Sequence, residues 1–156
     1  MQYKEIKICS FRLEQQRFAI YPESVYSILR ALAVTGVPGA PSYLHGVINF
    51  HGEILPVINL RNRLNLPEFP IRLEDHFLIC HSSKRKLVLV VDEVYGVESL
   101  SGVNFISTEK INPGLKISRM TKDDEGIILI YDLEELLNSQ EEVELNKLME
   151  LIANQG

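Results

Sequence analysis

Between residues 6 and 131 the chain is cut into short apolar runs rich in β-branched side chains, interrupted roughly every ten residues by Gly, Pro, Asn or Ser. Runs this short do not sustain a helical stripe, so the pattern predicts an all-β fold. Cys9, Phe11 and Leu13 alternate with Ser10 and Arg12, and after the polar turn Glu14-Gln15-Gln16-Arg17 the apolar positions resume at Phe18 and Ile20. That alternation predicts an antiparallel hairpin with one buried face. Val47, Ile48 and Phe50 lead to a turn at His51-Gly52 and a return strand over 53–58. Further strands are expected over 76–80, 87–94, 96–100, 103–106, 115–120 and 126–131. Leu87-Val88-Leu89-Val90-Val91 shows no alternation, as expected of a strand covered on both faces. Between these lie an expected helical turn within 22–28, an apolar extended stretch over 28–35, a break at Pro38-Gly39-Ala40-Pro41 and a single helical turn over 43–45 capped by Ser42.

One internal echo bears on architecture. Ile54-Leu55-Pro56-Val57-Ile58-Asn59-Leu60 leads to Leu64-Asn65, and Ile127-Ile128-Leu129-Ile130-Tyr131-Asp132-Leu133 leads to Leu137-Asn138 at the same spacing. Each strand ends on an Asn or Asp able to cap a short helix whose leucines fold back on the sheet. Two similar β-subdomains are therefore expected within residues 1–138. The tail, 139–156, reads as an amphipathic helix: Ser139 and Glu142 have capping-box spacing, and Leu145, Leu148, Met149 and Ile152 fall on one face. That face either packs on the host domain or binds a partner.

A chain of 156 residues can bury a core without metals or disulfides, and 46% apolar with 24% charged residues is an ordinary globular balance. Cys9 and Cys80 sit in strand-like runs without ligand spacing, which predicts buried free thiols. The net charge of −5 argues against nucleic acid as a partner, and Lys84-Arg85-Lys86 reads as a solvated hairpin tip. The longest aliphatic run is far too short to cross a bilayer and the polar start lacks a signal-peptide core, so no membrane insertion and a cytoplasmic location are expected.

The sequence offers little that resembles catalytic machinery. It has no GxSxG, HExxH, Walker-type GxxxxGK or GxGxxG. His45, His51, His76 and His81 lack metal-ligand spacing: His76 and His81, five apart in a strand, point to opposite faces. No metal, cofactor or catalytic residue is therefore expected. Asp92, closing an apolar strand, suits a role in satisfying backbone donors better than acid–base chemistry.

Gly46-Val47-Ile48-Asn49-Phe50-His51-Gly52-Glu53-Ile54-Leu55-Pro56-Val57-Ile58-Asn59-Leu60-Arg61 resembles the signature of the CheW family of bacterial chemotaxis coupling proteins. In that family Gly-Val, Asn, Arg-Gly, Pro and a closing Asp/Asn-Leu-Arg recur at these gaps. The resemblance continues through Phe11-Arg12-Leu13, Phe18-Ala19-Ile20, Val25 with Ile28, Val90-Val91-Asp92, and Leu136-Leu137-Asn138-Ser139. It implies two SH3-like five-stranded β-barrel subdomains around a shared core, with short helical turns and a C-terminal helix. It also implies a non-catalytic scaffold joining the cytoplasmic tips of chemoreceptors to the regulatory domain of the histidine kinase CheA, recruited to membrane receptor arrays.

Carried over position by position, the resemblance makes Val25, Ser27, Ile28, Gly46, Asn49 and His51 the candidate receptor-groove residues. Val25 and Ile28 are either groove or core, and Gly46 permits close approach for want of a side chain. Kinase-contact residues are not assigned. Two departures stand out: the family commonly has Arg where this chain has His51 and Glu where it has Ser27. An Arg–carboxylate pair is charge-assisted and bidentate, whereas His and Ser share at most one weaker hydrogen bond. The joint change suggests a divergent branch, serving a non-flagellar chemosensory pathway or competing with array assembly. From another class, an enzyme with an unrecognised site near His51 and Asp92 remains the alternative.

Overall fold

The computed structural model describes residues 5–100, 106–107 and 117–154. Strand β1 (Ile6–Leu13) turns through Glu14-Gln15 into β2 (Gln16–Ile20). A 3-10 turn, Pro22–Ser24, precedes β3 (Val25–Arg30), and β4 (Leu44–Phe50) and β5 (Glu53–Ile58) form the hairpin around His51-Gly52. Helix α1 (Leu60–Arg63) follows, then β6 (His76–His81), β7 (Lys86–Val91), β8 (Glu93–Leu100) and the two-residue β9 (Ile106–Ser107). Strands β10 (Ile117–Asp123) and β11 (Gly126–Tyr131), a 3-10 turn at Leu133–Glu135 and helix α2 (Ser139–Ala153) complete the order.

The strands make two sheets, β8-β1-β2-β11-β10-β9 and β3-β6-β7-β5-β4. Apart from the small β9, they have the same plan. In each, an edge strand pairs with a hairpin (β8 with β1-β2, β3 with β6-β7), the hairpin meets one parallel neighbour (β11 or β5), and that strand closes a second hairpin. The second sheet closes further where Thr35 and Val47 exchange both backbone hydrogen bonds at 2.9 Å. The echo in the sequence thus corresponds to a structural repeat. Asn59 accepts the Asn62 N–H at 3.2 Å after β5, and Asp132 accepts the Glu134 N–H at 3.0 Å after β11. The fold is two SH3-like barrels around a shared core.

Strand alternation sorts the core into three layers. Phe77, Ile79, Val88 and Val90 face the interior of the second barrel, and Ile8, Ala19, Ile128 and Ile130 that of the first. Between the barrels lies the largest layer, with Cys9, Phe11, Leu13, Phe18 and Ile20 from one sheet and Leu78, Cys80, Leu87, Leu89 and Val91 from the other. β7 is covered on both faces as expected. So is β1, contrary to the single buried face expected: Ile8 and Ser10 are as buried as Cys9 and Phe11, because the first barrel closes behind them.

Other boundaries also differ from expectation. The helical turn after Pro22 stops at Ser24, and Val25 already belongs to β3. Of the apolar stretch over 28–35, residues 28–30 are strand within β3 as expected, and beyond them Thr35 makes an isolated strand-like bridge. Ser42 caps no helical turn; the Leu44 N–H closes a simple turn on Pro41 O, and β4 starts there. β7 and β8 divide at Asp92, where the chain passes from the second sheet to the first, and not near Tyr95. The capping box of α2 is Asn138 with Glu141, one residue earlier than expected, because Asn138 holds the extended N-cap conformation that Ser139 lacks. The strand expected over 103–106 lies almost wholly outside the described residues, as does the beginning of that over 115–120.

Candidate functional site

The shared layer is bordered by side chains of β3 and β8, the equivalent edge strands of the two barrels: Val25 and Val94 both pack against it. A β-bulge between Val25 and Ser27 sets what β3 presents there. Val25 lies opposite Cys80, and Ile28 opposite Leu78; Cys80 and Leu78 both face the shared core. The bulge therefore brings two residues three apart onto one face, which regular alternation forbids. Val25 packs against the shared core and Ile28 is 44% exposed beside it. From the other barrel, Val97 lies opposite Cys9 and is 62% exposed, while Val94, opposite Phe11, packs inward. Beside Val25 and Val97, at the paired positions of the adjoining strands, are the buried Cys80 and Cys9. Burial pushes both pKa values up, and Cys9 adds to the rise at Cys80, so both remain neutral, apolar floor groups.

The remaining candidates cluster at the β4-β5 hairpin. Ser27, opposite Ile79, turns toward the interior side of the second barrel and is half-buried. His51 is exposed at the hairpin tip with φ 53°, followed by Gly52 at φ 88°, the two left-handed positions of a type I′ turn. Asn49 Oδ1 accepts the Gly52 N–H at 2.9 Å and braces that turn. The His51 ring meets Phe50 edge-on at 4.3 Å, and Phe50 meets the exposed Tyr26, the extra residue of the bulge, at 6.4 Å. Lys86 Nζ lies 4.4 Å from the Tyr26 ring centre and 3.1 Å from Glu53. Gly46 stands apart from this cluster. Its φ is 151°, and an added Cβ would overlap the Thr35 carbonyl oxygen and come 2.8 Å from Val34 Cγ1. The close approach Gly46 permits is made by this chain's own barrel-closing segment.

Charged side chains join the barrels around Asp92, where the chain passes from the second sheet to the first. Arg61 on α1 donates to Glu14 Oε1 and, at 2.5 Å, to Asp92 Oδ1, and also to the Pro67 carbonyl at 3.0 Å. Asp92 Oδ2 accepts the Glu14 backbone N–H at 2.9 Å, the backbone role expected for it, and lies 3.4 Å from Arg12 Nη1. Burial alone lowers the Arg61 pKa, but hydrogen bonds to Glu14 and Asp92 more than offset it and raise the pKa overall. On the α2 side, Arg63 grips Glu141 with two bonds of 2.8 and 3.0 Å, and Arg85 reaches Glu142 at 2.8 Å. Two of the three cations at the 84–86 tip are thus held by internal carboxylates. His51 and Asp92 are not brought together. Lys86, beside the His51 hairpin, and Asp92 are separated by the length of β7, about 20 Å at 3.3 Å per residue.

Seam residues that the sequence reading did not single out include Val97. The echo between 54–65 and 127–138 did not reach it; only the sheet order shows that β8 occupies in the first sheet the place β3 occupies in the second. Part of the β8 pairing partner lies some 90 residues away, so the equivalence is not visible locally.

The profile of the CheW-like domain family matches residues 7–141. The chemotaxis protein CheW of Bacillus subtilis is 30% identical over 137 residues, covering 86% of this chain and 88% of its own. That of Treponema pallidum is 26% identical over 145 residues, covering 88% and 85%. Among solved structures, the scaffolding protein TtCheW from Thermoanaerobacter tengcongensis shares the fold with a TM-score of 0.76 at 23% identity, over 88% of this chain and 97% of that one. With two like barrels, a shared core and a family match spanning nearly all of both, this chain belongs to the CheW-like domain family.

Proposed function

We propose that this protein is a non-catalytic chemotaxis adaptor that couples chemoreceptors to the histidine kinase CheA, and that a helical receptor tip docks in the seam between its barrels. The observation that carries the reading is the β3 bulge, which places Val25 and Ile28 on the seam face, with Val97 exposed on the equivalent strand of the other barrel. An amphipathic helix burying an apolar stripe fits a shallow apolar seam floored by packed side chains. His51 at the exposed β4-β5 hairpin tip, and Ser27 on the face of β3 away from the seam, serve as selectivity positions. No helix among the described residues is long and apolar enough to cross a membrane, so placement at receptor arrays would come through binding.

Pull-down with a cytoplasmic receptor tip and with the kinase tests the reading. The intact protein retains both. Ile28→Asp and Val97→Asp, each placing a charge at an exposed seam position, lose the receptor tip and keep the kinase. Retention of the tip by both variants would overturn the seam as its site. Receptor-stimulated kinase activity with and without added protein distinguishes an activating coupler from a competitor.

A further inference from the structure

The side of β3 that carries Ile28 ends in a cation. Arg30 lies opposite His76, continuing the alternation that puts Ile28 opposite Leu78 on the shared-core side, and it is exposed. Other arginines are engaged: Arg12, Arg61 and Arg72 lie close to Asp92, Arg63 holds Glu141 and Arg85 holds Glu142. The Arg30 side chain has no ion pair or hydrogen bond among the described residues. The acid just before the adjoining strand, Asp75, is paired with Arg72 and not with Arg30: its Oδ2 accepts the Arg72 backbone N–H at 2.8 Å, and its buried Oδ1, without a hydrogen bond, lies 3.5 Å from the Arg72 guanidinium.

We infer that Arg30 is the specificity end of the seam and recognises a carboxylate on the docked helix, one turn beyond the apolar residue seated on Ile28. The inference rests on the seam being the docking site. The spacing suits such a ligand. Ile28 and Arg30 are two strand residues apart, about 6.6 Å, and residues i and i+4 of a helix lying along the strand are about 6 Å apart. A guanidinium at the rim of an apolar seam contributes by steering and by rejecting a cation more than by raw affinity. The partner is thus an amphipathic helix bearing Asp or Glu four residues from an apolar anchor. A second copy of this chain is the competing occupant, to be decided by experiment.

The experiment titrates the full-length protein with a soluble cytoplasmic receptor-tip fragment at low and high salt. Arg30→Glu is expected to weaken binding roughly tenfold at low salt, with the difference shrinking at high salt because the rim pair is screened. Charge reversal of the matching acid on the tip should restore binding to Arg30→Glu and weaken binding to the unmodified protein. Arg30 is exposed and internally unpaired, so an unchanged melting temperature accompanies the loss. If Ile28→Asp abolishes binding while Arg30→Glu binds as the unmodified protein does, the inference about Arg30 fails and the seam stands. Should Ile28→Asp bind normally, the seam itself is wrong. If Ile28→Asp instead converts a dimer to a monomer in sedimentation while tip binding persists, the seam belongs to a second copy and the inference is overturned.

Discussion

His51 shows how one residue can serve the turn and the surface at once. Its positive φ is required by the type I′ hairpin, and a non-glycine residue in that region costs about 1–2 kcal/mol, least for Asn and most for β-branched side chains. His51→Val should therefore lower stability in urea by about 1 kcal/mol or less, the excess of a β-branched side chain over His at this φ, and His51→Asn should leave it near the starting value. The family pairing makes a separate prediction. His51→Arg combined with Ser27→Glu should strengthen binding to a standard receptor tip; unchanged affinity would show that the two positions do not act as a pair. At Gly46 the conflict is with Thr35, so Gly46→Ala should cost about 1–3 kcal/mol by forcing the barrel-closing bridge apart. His45 adds a pH dependence. Burial lowers its pKa, partly opposed by Glu68 and Asp75. The folded protein thus favours the neutral ring: its contribution is intact above the unfolded value of about 6.5 and is lost as pH falls through the lower folded value. Melting temperature should drop on acidification below about pH 6.5, and His45→Gln should flatten that drop.

Helix α2 and the β3 edge are where whole elements carry predictions. Leu145 is fully buried in the shared layer, with Leu148 and Met149 packed beside it, so the apolar face of α2 is chiefly a lid on that layer. The Asn138-Glu141 box fixes where the helix starts, and the same Glu141 receives both Arg63 bonds. Glu141→Ala removes a cap partner and an ion pair together. It should cost more than Asn138→Ala, which loses about 1 kcal/mol as an N-cap. A double-mutant cycle of Arg63→Ala with Glu141→Ala should return a coupling of about 1 kcal/mol. Strand β3 depends on its bulge. The apolar residues at 25 and 28 have helical spacing in sequence, and only the extra residue Tyr26 reconciles them with a single face of a strand.

For the whole molecule, the chain path matters most. β1 and β2 enter the first sheet, β3 to β7 build the second, and β8 to β11 return to complete the first. The first barrel is assembled from both ends of the chain, with the contiguous second barrel inserted between them, and the layer between the two is their largest common surface. Urea unfolding should therefore show one transition by fluorescence and circular dichroism alike, with no separately melting barrel. The Arg61 clasp acts at this scale too. Arg61→Ala leaves Glu14 and the largely buried Asp92 short of their main counter-ion, at a cost of about 3 kcal/mol or more, lessened by Arg12 and Arg72. Loss of stability while the transition stays single would identify the clasp as a stabiliser of one cooperative unit.

The all-β class, the two hairpins, the doubly covered β7 and the repeated strand-cap-helix unit were legible because each is written in local alternation, turn chemistry or capping, although the first turn, expected over 14–17, takes only 14–15 because Gln16 and Arg17 already pair in β2. The break at Asp92 was not, since the residues around it are equally strand-like on both sides and only the change of sheet divides them. Nor could sequence separate groove from core at Val25 and Ile28: both are apolar and burial depends on what lies opposite. The family signature from Gly46 to Arg61 was visible as a pattern, but its parts do different work. Gly46 admits Thr35, Asn49 braces the turn, and Arg61 ties the barrels together. Periodicity and turn residues, acting over a few positions, determined the strands and where they turn. Tertiary structure alone decided which apolar residues stayed at the surface, because a seam exists only where two separately closed barrels meet.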